Sequence, residues 1–428
     1  MSEYLCEELL DPSFSGAKVF SIAFTESAIM INDPESLEYV LNTNFENYVK
    51  GSFFSCRLSE FLGQGIFNVD GHHWYIQRKI GSKIFTTRAF KTNIETVFTE
   101  KIKVFLNLIE STNGKAVDVH DMFHKFFMDT FGKIAYGYEI DSMSKTTVPF
   151  AQAFDRIQKV TSDRFSNPLF KYTDPFVYPG FNHDIQVIRE FGTKIIQERK
   201  RGGTESKSDL LSLFMDYTNE DGSKLDDDQL IDSVLNFLLA GRDTTAQALS
   251  WTFYCLFKNQ AALKTLNKEI ETYLQEEEIP DYDTIKKMKY ANAVFKETLR
   301  LYPSVPRVAK IAVNDDVLPN GTNIPRGAVI GYVPYAFGRN KDVWEDPLTY
   351  KPERWLSGKQ ATQYEYPVFN CGPRICLGKS LAEIQGVFVL VCILKKYYFT
   401  VENMDMIVPG VSLTFPMKHG MQVRFYNK

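Results

Sequence analysis

Cys376 lies in the run Phe369-Asn370-Cys371-Gly372-Pro373-Arg374-Ile375-Cys376-Leu377-Gly378, where the glycines and the proline allow tight turns just ahead of an apolar helical stretch. A cysteine near a helix N-terminus meets amide N–H groups and the positive end of the helix dipole, and both stabilise a thiolate. With Arg374 two residues earlier, the sulphur is set up as an anionic ligand. Cys255, Cys371 and Cys392 lack these surroundings and read as small core hydrophobes. A second group is Ala240-Gly241-Arg242-Asp243-Thr244-Thr245. Glycine costs about 1 kcal/mol inside a helix, and a buried Asp or Thr needs a partner. A lone Thr usually satisfies itself on the carbonyl four residues back, but Gly, Asp and two Thr together weaken that plain reading. The third is Glu297-Thr298-Leu299-Arg300, whose charged ends share one helix face. Taken alone, that pair is worth about 0–1 kcal/mol as a surface salt bridge.

These residues need elements to hold them. Asp227 to about Lys258 is expected to be one helix of roughly 30 residues, near 45 Å long at 1.5 Å per residue. It is apolar around most of its circumference at Ile231, Val234, Leu235, Phe237, Leu238 and Leu239, so it runs through the centre of the protein. Ahead of it, residues 17 to 42 give a β-hairpin and then a helix opened by Pro34. The region from about 72 to 275 is mainly helical, with breaks expected at Asn113-Gly114, at 168 to 180 and at 199 to 208. A helix ends near Arg300, because the residue before Pro303 avoids the α region. Short β-like segments (303 to 335), an irregular loop (336 to 370), one long helix (about 377 to 397) and a β-like tail follow. Without repeats or a Gly/Ser linker, the expectation is a single domain over 1–428, mainly α with small β-sheets.

Lys+Arg number 49 and Asp+Glu 53, a net charge of −4, so no overall positive field exists to bind nucleic acid. Six scattered cysteines form neither a disulfide framework nor a zinc pattern, which suits a reducing compartment. The longest apolar run, Val387 to Leu394, is far short of the about 20 residues that cross a bilayer as a helix. The acidic start MSEYLCEELLDPSF is unlike a signal peptide. Gly63-Gln64-Gly65 lacks the third glycine of a dinucleotide fingerprint, Tyr217 spoils a calcium loop, and His72-His73 reads as an exposed turn pair.

The three chemical stretches, in this order, resemble the signature set of the cytochrome P450 family of haem-thiolate monooxygenases. Phe369-x-x-Gly372-x-Arg374-x-Cys376-x-Gly378 is similar to that family's Cys loop at every specified position. Glu297-x-x-Arg300 with Pro352-Glu353-Arg354-Trp355 resembles its buried Glu/Arg/Arg network, Ala240 to Thr245 its oxygen-binding helix motif, and Trp74-Tyr75-Ile76-Gln77-Arg78 its haem-propionate motif. The resemblance implies that fold, with the long central helix over haem b, and it covers essentially the whole chain. The membrane anchor and proline-rich hinge usual in eukaryotic members have no counterpart before the first hairpin, which suggests an anchorless form or a truncated sequence.

The resemblance also assigns roles. Cys376 would be the axial ligand of the haem iron, pushing electron density onto it. Trp74, Arg78 and Arg374 would hold the haem propionates, with Phe369, Gly372 and Gly378 shaping the cofactor loop. Asp243 and Thr244 would deliver protons, with Gly241 leaving space for dioxygen. Glu297, Arg300 and Arg354 would brace the Cys loop. Having no dinucleotide fold, the chain would take electrons from NADPH through a separate flavoprotein reductase, docked at Lys79, Lys286, Lys287, Lys289 and Lys379.

Phe237 to Ala246, Tyr302 to Pro306 with Lys310 beyond, and Gly331 to Arg339 resemble the long-chain fatty-acid and alkane ω-hydroxylases of fungi and plants. That implies a lipophilic substrate, O2, peripheral membrane contact and the endoplasmic reticulum, with no nucleic-acid partner. Phe237, Ala240, Gly241, Lys310 and Phe415 are expected in the substrate pocket, Lys310 meeting a carboxylate, and Phe53, Phe54, Phe61 and Phe67 along the channel. The rivals are sterol or terpenoid hydroxylation, a reductase-independent isomerase or peroxygenase, and a carrier. The last two have no use for an Asp-Thr relay.

Overall fold

The computed structural model describes residues 17–20, 28–84, 88–145, 147–167, 169–202, 209–274, 279–358, 361–410 and 412–428. Cys6 lies outside them, as does the turn of the N-terminal hairpin. That hairpin pairs β1 (Ala17–Phe20) antiparallel with β2 (Ala28–Ile31), and helix α1 (Pro34–Glu38) follows under an Asp33 cap whose carboxylate accepts from the Ser36 N–H at 2.7 Å. Next come β3 (Tyr48–Val49), α2 (Gly51–Leu62), α3 (Gly71–Ile84), α4 (Arg88–Ser111), β4 (Val117–Asp118), α5 (Val119–Tyr136) and α6 (Pro149–Asp163).

Two expected breaks are corrected. The 168 to 180 stretch contains α7 (Phe170–Val177), a short helix that tolerates Pro175. The break expected at 199 to 208 begins later than 199, because α8 (Phe181–Arg201) runs into its first residues, and 203–208 lie outside the described residues. Arg199 is buried there, donating to both Asp209 carboxylate oxygens (2.9 and 2.6 Å), to Ser212 (2.5 Å) and to the Tyr136 carbonyl (2.6 Å). A cation with that many partners pays for its burial inside a helix rather than in a solvated loop.

After α9 (Leu210–Asp216), the central helix α10 spans Asp227–Lys258. It starts in a reciprocal capping box, the Asp226 carboxylate on the Gln229 N–H and the Gln229 side chain on the Asp226 N–H. Its burial on nearly every face explains the all-round apolar pattern, and α5 lies along it. Tyr136 donates to the Val234 carbonyl at 2.6 Å, and the Phe131 ring occupies the room left by Gly241.

Helices α11 (Gln260–Tyr273), α12 (Tyr282–Lys287) and α13 (Lys289–Leu301) lead to β5 (Val308–Ala312), β6 (Asp316–Val317), β7 (Asn323–Ile324), β8 (Val329–Tyr332) and α14 (Pro334–Phe337). The loop beyond holds three short 3-10 turns, and α15 (Lys379–Lys396), β9 (Tyr397–Val401) and β10 (Gln422–Asn427) close the fold. One sheet has the order β1-β2-β8-β5-β3, with β2 and β8 parallel and the other neighbours antiparallel. A second is β4-β10-β9, and β6 pairs with β7. The run Val387–Leu394 is wholly buried in α15, so its apolarity serves the core. No described helix is long and apolar enough to cross a membrane.

Candidate active site

The Cys loop is held by contacts that the local sequence does not show. The Cys376 N–H donates to the Phe369 carbonyl at 2.8 Å, closing the loop on itself. Gly372 has φ +61, and a Cβ there would lie 2.1 Å from the Leu41 carbonyl, so only glycine fits. Gly378 stands at the N-terminus of α15. The Cys376 side chain is exposed, unlike those of Cys255, Cys371 and Cys392. Its protein surroundings nonetheless push the thiol up by desolvation, while the Gly378 N–H, Arg78 and Lys379 pull it back down. Position at the helix terminus therefore does not by itself give the low thiol expected from sequence, whereas a coordinated cation deprotonates a thiol outright.

Beside this sulphur lies a cluster of cations. Arg78 donates to the Ile375 carbonyl at 2.7 Å. Arg374 donates to the Val69 carbonyl (2.9 Å) and to Asp70 (2.6 Å), with its guanidinium 4.5 Å from the centre of the Trp74 ring. Asp70 also accepts from the N–H groups of Lys50 and Gly51. Lys310, expected in the substrate pocket, is buried here instead: its ammonium is 5.5 Å from the Phe45 ring, and that ring is 5.6 Å from Trp74. Desolvation pushes Lys310 well below the ordinary lysine value, with Lys50 and Arg374 adding to the effect and Asp70 opposing it. Lys50 falls to about 8 and Arg374 to about 10, both chiefly by burial. Arg374 Nε and Lys310 Nζ are buried without a hydrogen-bond partner. Lys50, Arg78, Arg374 and Lys310 outnumber the acids acting on them, Asp70 and, more weakly on Arg374, Glu46, so the cluster makes a receptor for an anion, and haem brings two carboxylates. The thiol, the cationic cluster and the apolar Trp74 ring therefore fit that cofactor, with Cys376 to hold the iron and Arg78, Arg374, Trp74 and Lys310 to hold the propionates. Sequence reasoning missed Lys50 and Asp70, which carry no motif of their own.

On α10, the Thr244 hydroxyl donates to the Ala240 carbonyl at 2.7 Å, and Ser304 donates to the Thr244 carbonyl at 2.6 Å. Asp243 is buried. Its carboxylate accepts from Gln158 at 2.5 Å and lies 3.2 Å from Arg242, which in turn reaches Asp155 at 2.6 Å. Burial raises Asp243 above the usual carboxylate range, against the pull of Arg242, His124 and Gln158. Adjacent residues on a helix do not face each other, and the partners of Asp243 are on α5, α6 and α10 itself. Gly241 does not serve as an open space, since an added Cβ would lie 2.1 Å from the Phe131 ring.

The remaining expected pocket residues divide. Phe237 packs on Phe214 and, with Leu377, closes over Gly81, so it joins α10 to the Cys loop. Phe415 is buried against Trp251 and Tyr335, and its carbonyl accepts from the Trp251 indole. Phe61 is core, 5.0 Å from Phe154, and Phe67 is exposed. Phe53 and Phe54 form a cluster with Phe165 instead. His72 and His73 are exposed in the first turn of α3.

Glu297 and Arg300 are fully buried and bidentate, Nε to Oε2 at 2.9 Å and Nη2 to Oε1 at 2.8 Å. Glu297 also accepts from Arg354 (3.0 Å), the Trp355 indole (2.9 Å) and the Lys351 N–H (2.8 Å). Arg300 continues to the carbonyls of Gly338, Pro347 and Thr349. The surface-pair reading is thus excluded. Trp355 packs on Tyr366 at 4.8 Å, and the Tyr366 hydroxyl bonds the Lys296 carbonyl, fixing the chain just before the Cys loop.

The family model described as Cytochrome P450 matches residues 17–420. The chain belongs to the cytochrome P450 family. It is 36% identical to the cytochrome P450 monooxygenase cyp1 of Mycosarcoma maydis, over 92% of this chain and 68% of that one. It is 34% identical to cytochrome P450 94A1 of Vicia sativa (86% and 75%) and 33% identical to cytochrome P450 86B1 of Arabidopsis thaliana (100% and 81%). The solved haem domain of cytochrome P450DA superposes with a TM-score of 0.89 at 24% identity, covering 100% of this chain and 92% of that one, and so shares the fold. As a member of the family the protein is a haem-iron monooxygenase, an oxidoreductase that incorporates oxygen from O2 and needs a redox partner and a lipophilic substrate.

Proposed function

We propose that this P450 hydroxylates the terminal carbon of a long-chain fatty acid or alkane at a membrane surface. The observation that carries the lipid is an apolar patch on and around α7: Leu169, Tyr172, Phe176 and Val177 are exposed, Phe176 to 86%. Phe170 of the same helix lies 5.8 Å from the Arg57 guanidinium, which itself covers Phe53 at 4.1 Å within the Phe53, Phe54 and Phe165 cluster. An aromatic surface of this kind marks membrane or lipid contact, and it would receive an alkyl chain directly from a bilayer. Peripheral attachment to the endoplasmic reticulum follows the family resemblance.

Bound haem supplies the activation of dioxygen. The protein residues do the rest. Cys376 would hold the iron, Arg78, Arg374, Trp74 and Lys310 would orient the cofactor by its propionates, and the Thr244 hydroxyl, which donates to the Ala240 carbonyl, would offer its oxygen as an acceptor or turn to donate toward the substrate side. Asp243, whose carboxylate faces Gln158, His124 and Arg242, would turn from them to pass a proton toward Thr244. Lys79, Lys286, Lys287 and Lys289 are exposed and Lys379 half-buried; they would dock an acidic, NADPH-fed flavoprotein. The whole chain, 1–428, acts as one unit. Purified protein with reductase, NADPH and a panel of C12 to C18 fatty acids, with product regiochemistry read by mass spectrometry, tests this reading. Terminal hydroxyls are expected. Steroid or terpenoid turnover without fatty-acid turnover, or hydroxyls confined to mid-chain carbons, overturns it.

A further inference from the structure

Two histidines on α5 are used by none of these roles. His120 and His124 are one turn apart, with ring centroids 4.4 Å from each other. His120 is tied to α10 by a 3.0 Å bond between its Nδ1 and the Ser250 hydroxyl. His124 Nδ1 lies 2.7 Å from the His120 carbonyl. A carbonyl can only accept, so Nδ1 carries the proton in neutral His124 and Nε2 keeps its lone pair. That Nε2 lies 3.9 Å from Asp243 Oδ1.

The placement of the pair is directional. The His124 side chain is 12% exposed and that of Asp243 only 3%, so the imidazole reaches from the surface to a buried carboxylate. Asp243 Oδ2 is taken by Gln158, while Oδ1 is buried without a hydrogen-bond partner. Around it stand Arg242 on its own helix, Gln158 and Asp155 on α6, and His124, His120 and Asp121 on α5. Arg242 never loses its proton in water and is held by Asp155, and the Gln158 amide does not titrate. His120 is withdrawn from solvent and bonded to Ser250. Among the described groups facing Oδ1, His124 presents a ring nitrogen whose lone pair can accept a proton and hand it on. The 3.9 Å gap is too long for a hydrogen bond and is closed by a small side-chain rotation or one water.

We infer that His124 reprotonates Asp243 from solvent, as a positioning residue that acts on oxygen insertion through Asp243. This rests on the reading of Asp243 and Thr244 as the proton-delivery pair. In each passage Asp243 gives its carboxyl proton toward Thr244, solvent protonates Nε2 of neutral His124, and the imidazolium passes that proton to Oδ1 and is neutral again. One proton crosses and no electrons move.

The test uses the haem-loaded protein and three chains: wild type, His124→Asn and Asp243→Asn. Asparagine keeps a donor for the His120 carbonyl but cannot carry a proton. In 15N-histidine-labelled protein, Asp243→Asn should move the His124 Nε2 resonance; an unmoved resonance would show that the two groups do not communicate and overturns the inference without any turnover. With reductase, NADPH and hexadecanoic acid, His124→Asn should give about tenfold less product per NADPH. Its solvent deuterium isotope effect should be larger and its pH profile changed, which a merely structural role would not produce. Loss of product in Asp243→Asn with wild-type yield, isotope effect and pH profile in His124→Asn overturns the inference alone. Full product in Asp243→Asn overturns the Asp243 reading, and the inference with it. If His124→Asn loses its fold, His124→Gln takes its place.

Discussion

Thr244 and Lys310 show how differently two residues of the same motif set can be employed. The Thr244 hydroxyl spends its proton on the Ala240 carbonyl at 2.7 Å, so it can present its oxygen, or turn, with little rearrangement. Thr244→Ala is expected to keep haem and substrate binding but release hydrogen peroxide in place of product; unchanged product per NADPH would remove the hydroxyl from the reaction. Lys310 is a buried ammonium with no hydrogen-bond partner, an arrangement that costs stability unless an anion answers it. Lys310→Met should therefore raise the melting temperature of haem-free protein and at the same time speed haem loss to a haem-scavenging apoglobin. A variant that melts lower without haem, or holds haem as firmly as wild type, would contradict the placement. Sequence put Lys310 beside a substrate carboxylate because its charge was legible and its direction was not: β5 pairs Lys310 with Ile330 and turns the side chain toward Phe45, more than two hundred residues away in the chain.

Among the elements, α10 was the most legible. Its capping box and its final Lys258 are local signals, and the expected bounds Asp227 to Lys258 are those observed. The Cys loop and the helix after it were also readable, because turn glycines and a helix N-terminus are local. What was not readable depends on distant partners. Gly241 makes room for Phe131 of α5 and Gly372 for the backbone at Leu41, so their necessity is visible only after packing. The same holds for Glu297 and Arg300, an i, i+3 pair in sequence and a fully buried network in the fold. His120 and His124 did leave a signal, a four-residue spacing on one helix face, but nothing in the sequence placed that face against Asp243. For Glu297→Ala the expected loss is about 3–5 kcal/mol, because Arg300 and Arg354 are left buried without their counter-charge. With most domains holding about 5–15 kcal/mol in all, little haem-loaded protein should accumulate, and a soluble, fully loaded variant with an unchanged melting temperature would show the network to be dispensable.

At the scale of the molecule, the aromatic and cationic interior predicts how stability responds to acid. His120 is pushed well below the ordinary histidine value of 6.5, chiefly by burial and further by His124 and Arg242. The unfolded chain takes up a proton there as pH falls through 6.5 while the folded chain does not, so the native state loses stability below that point. Melting temperature should decline from about pH 6.5 downward, and His120→Phe should flatten that decline; an equal slope in both proteins would place the acid sensitivity elsewhere. One sulphur decides the chemistry of the site. Of the described cysteines Cys376 has its side chain exposed beside Arg78, whereas Cys371, five residues earlier, is buried and bonded to the Gln363 carbonyl. The most direct measurement is the difference spectrum of the reduced carbonyl complex for wild type, Cys376→Ala and Cys371→Ala. The red-shifted Soret band of a thiolate-ligated haem should be present in wild type and in Cys371→Ala and absent from Cys376→Ala, and its survival in Cys376→Ala would contradict the assignment of the axial ligand.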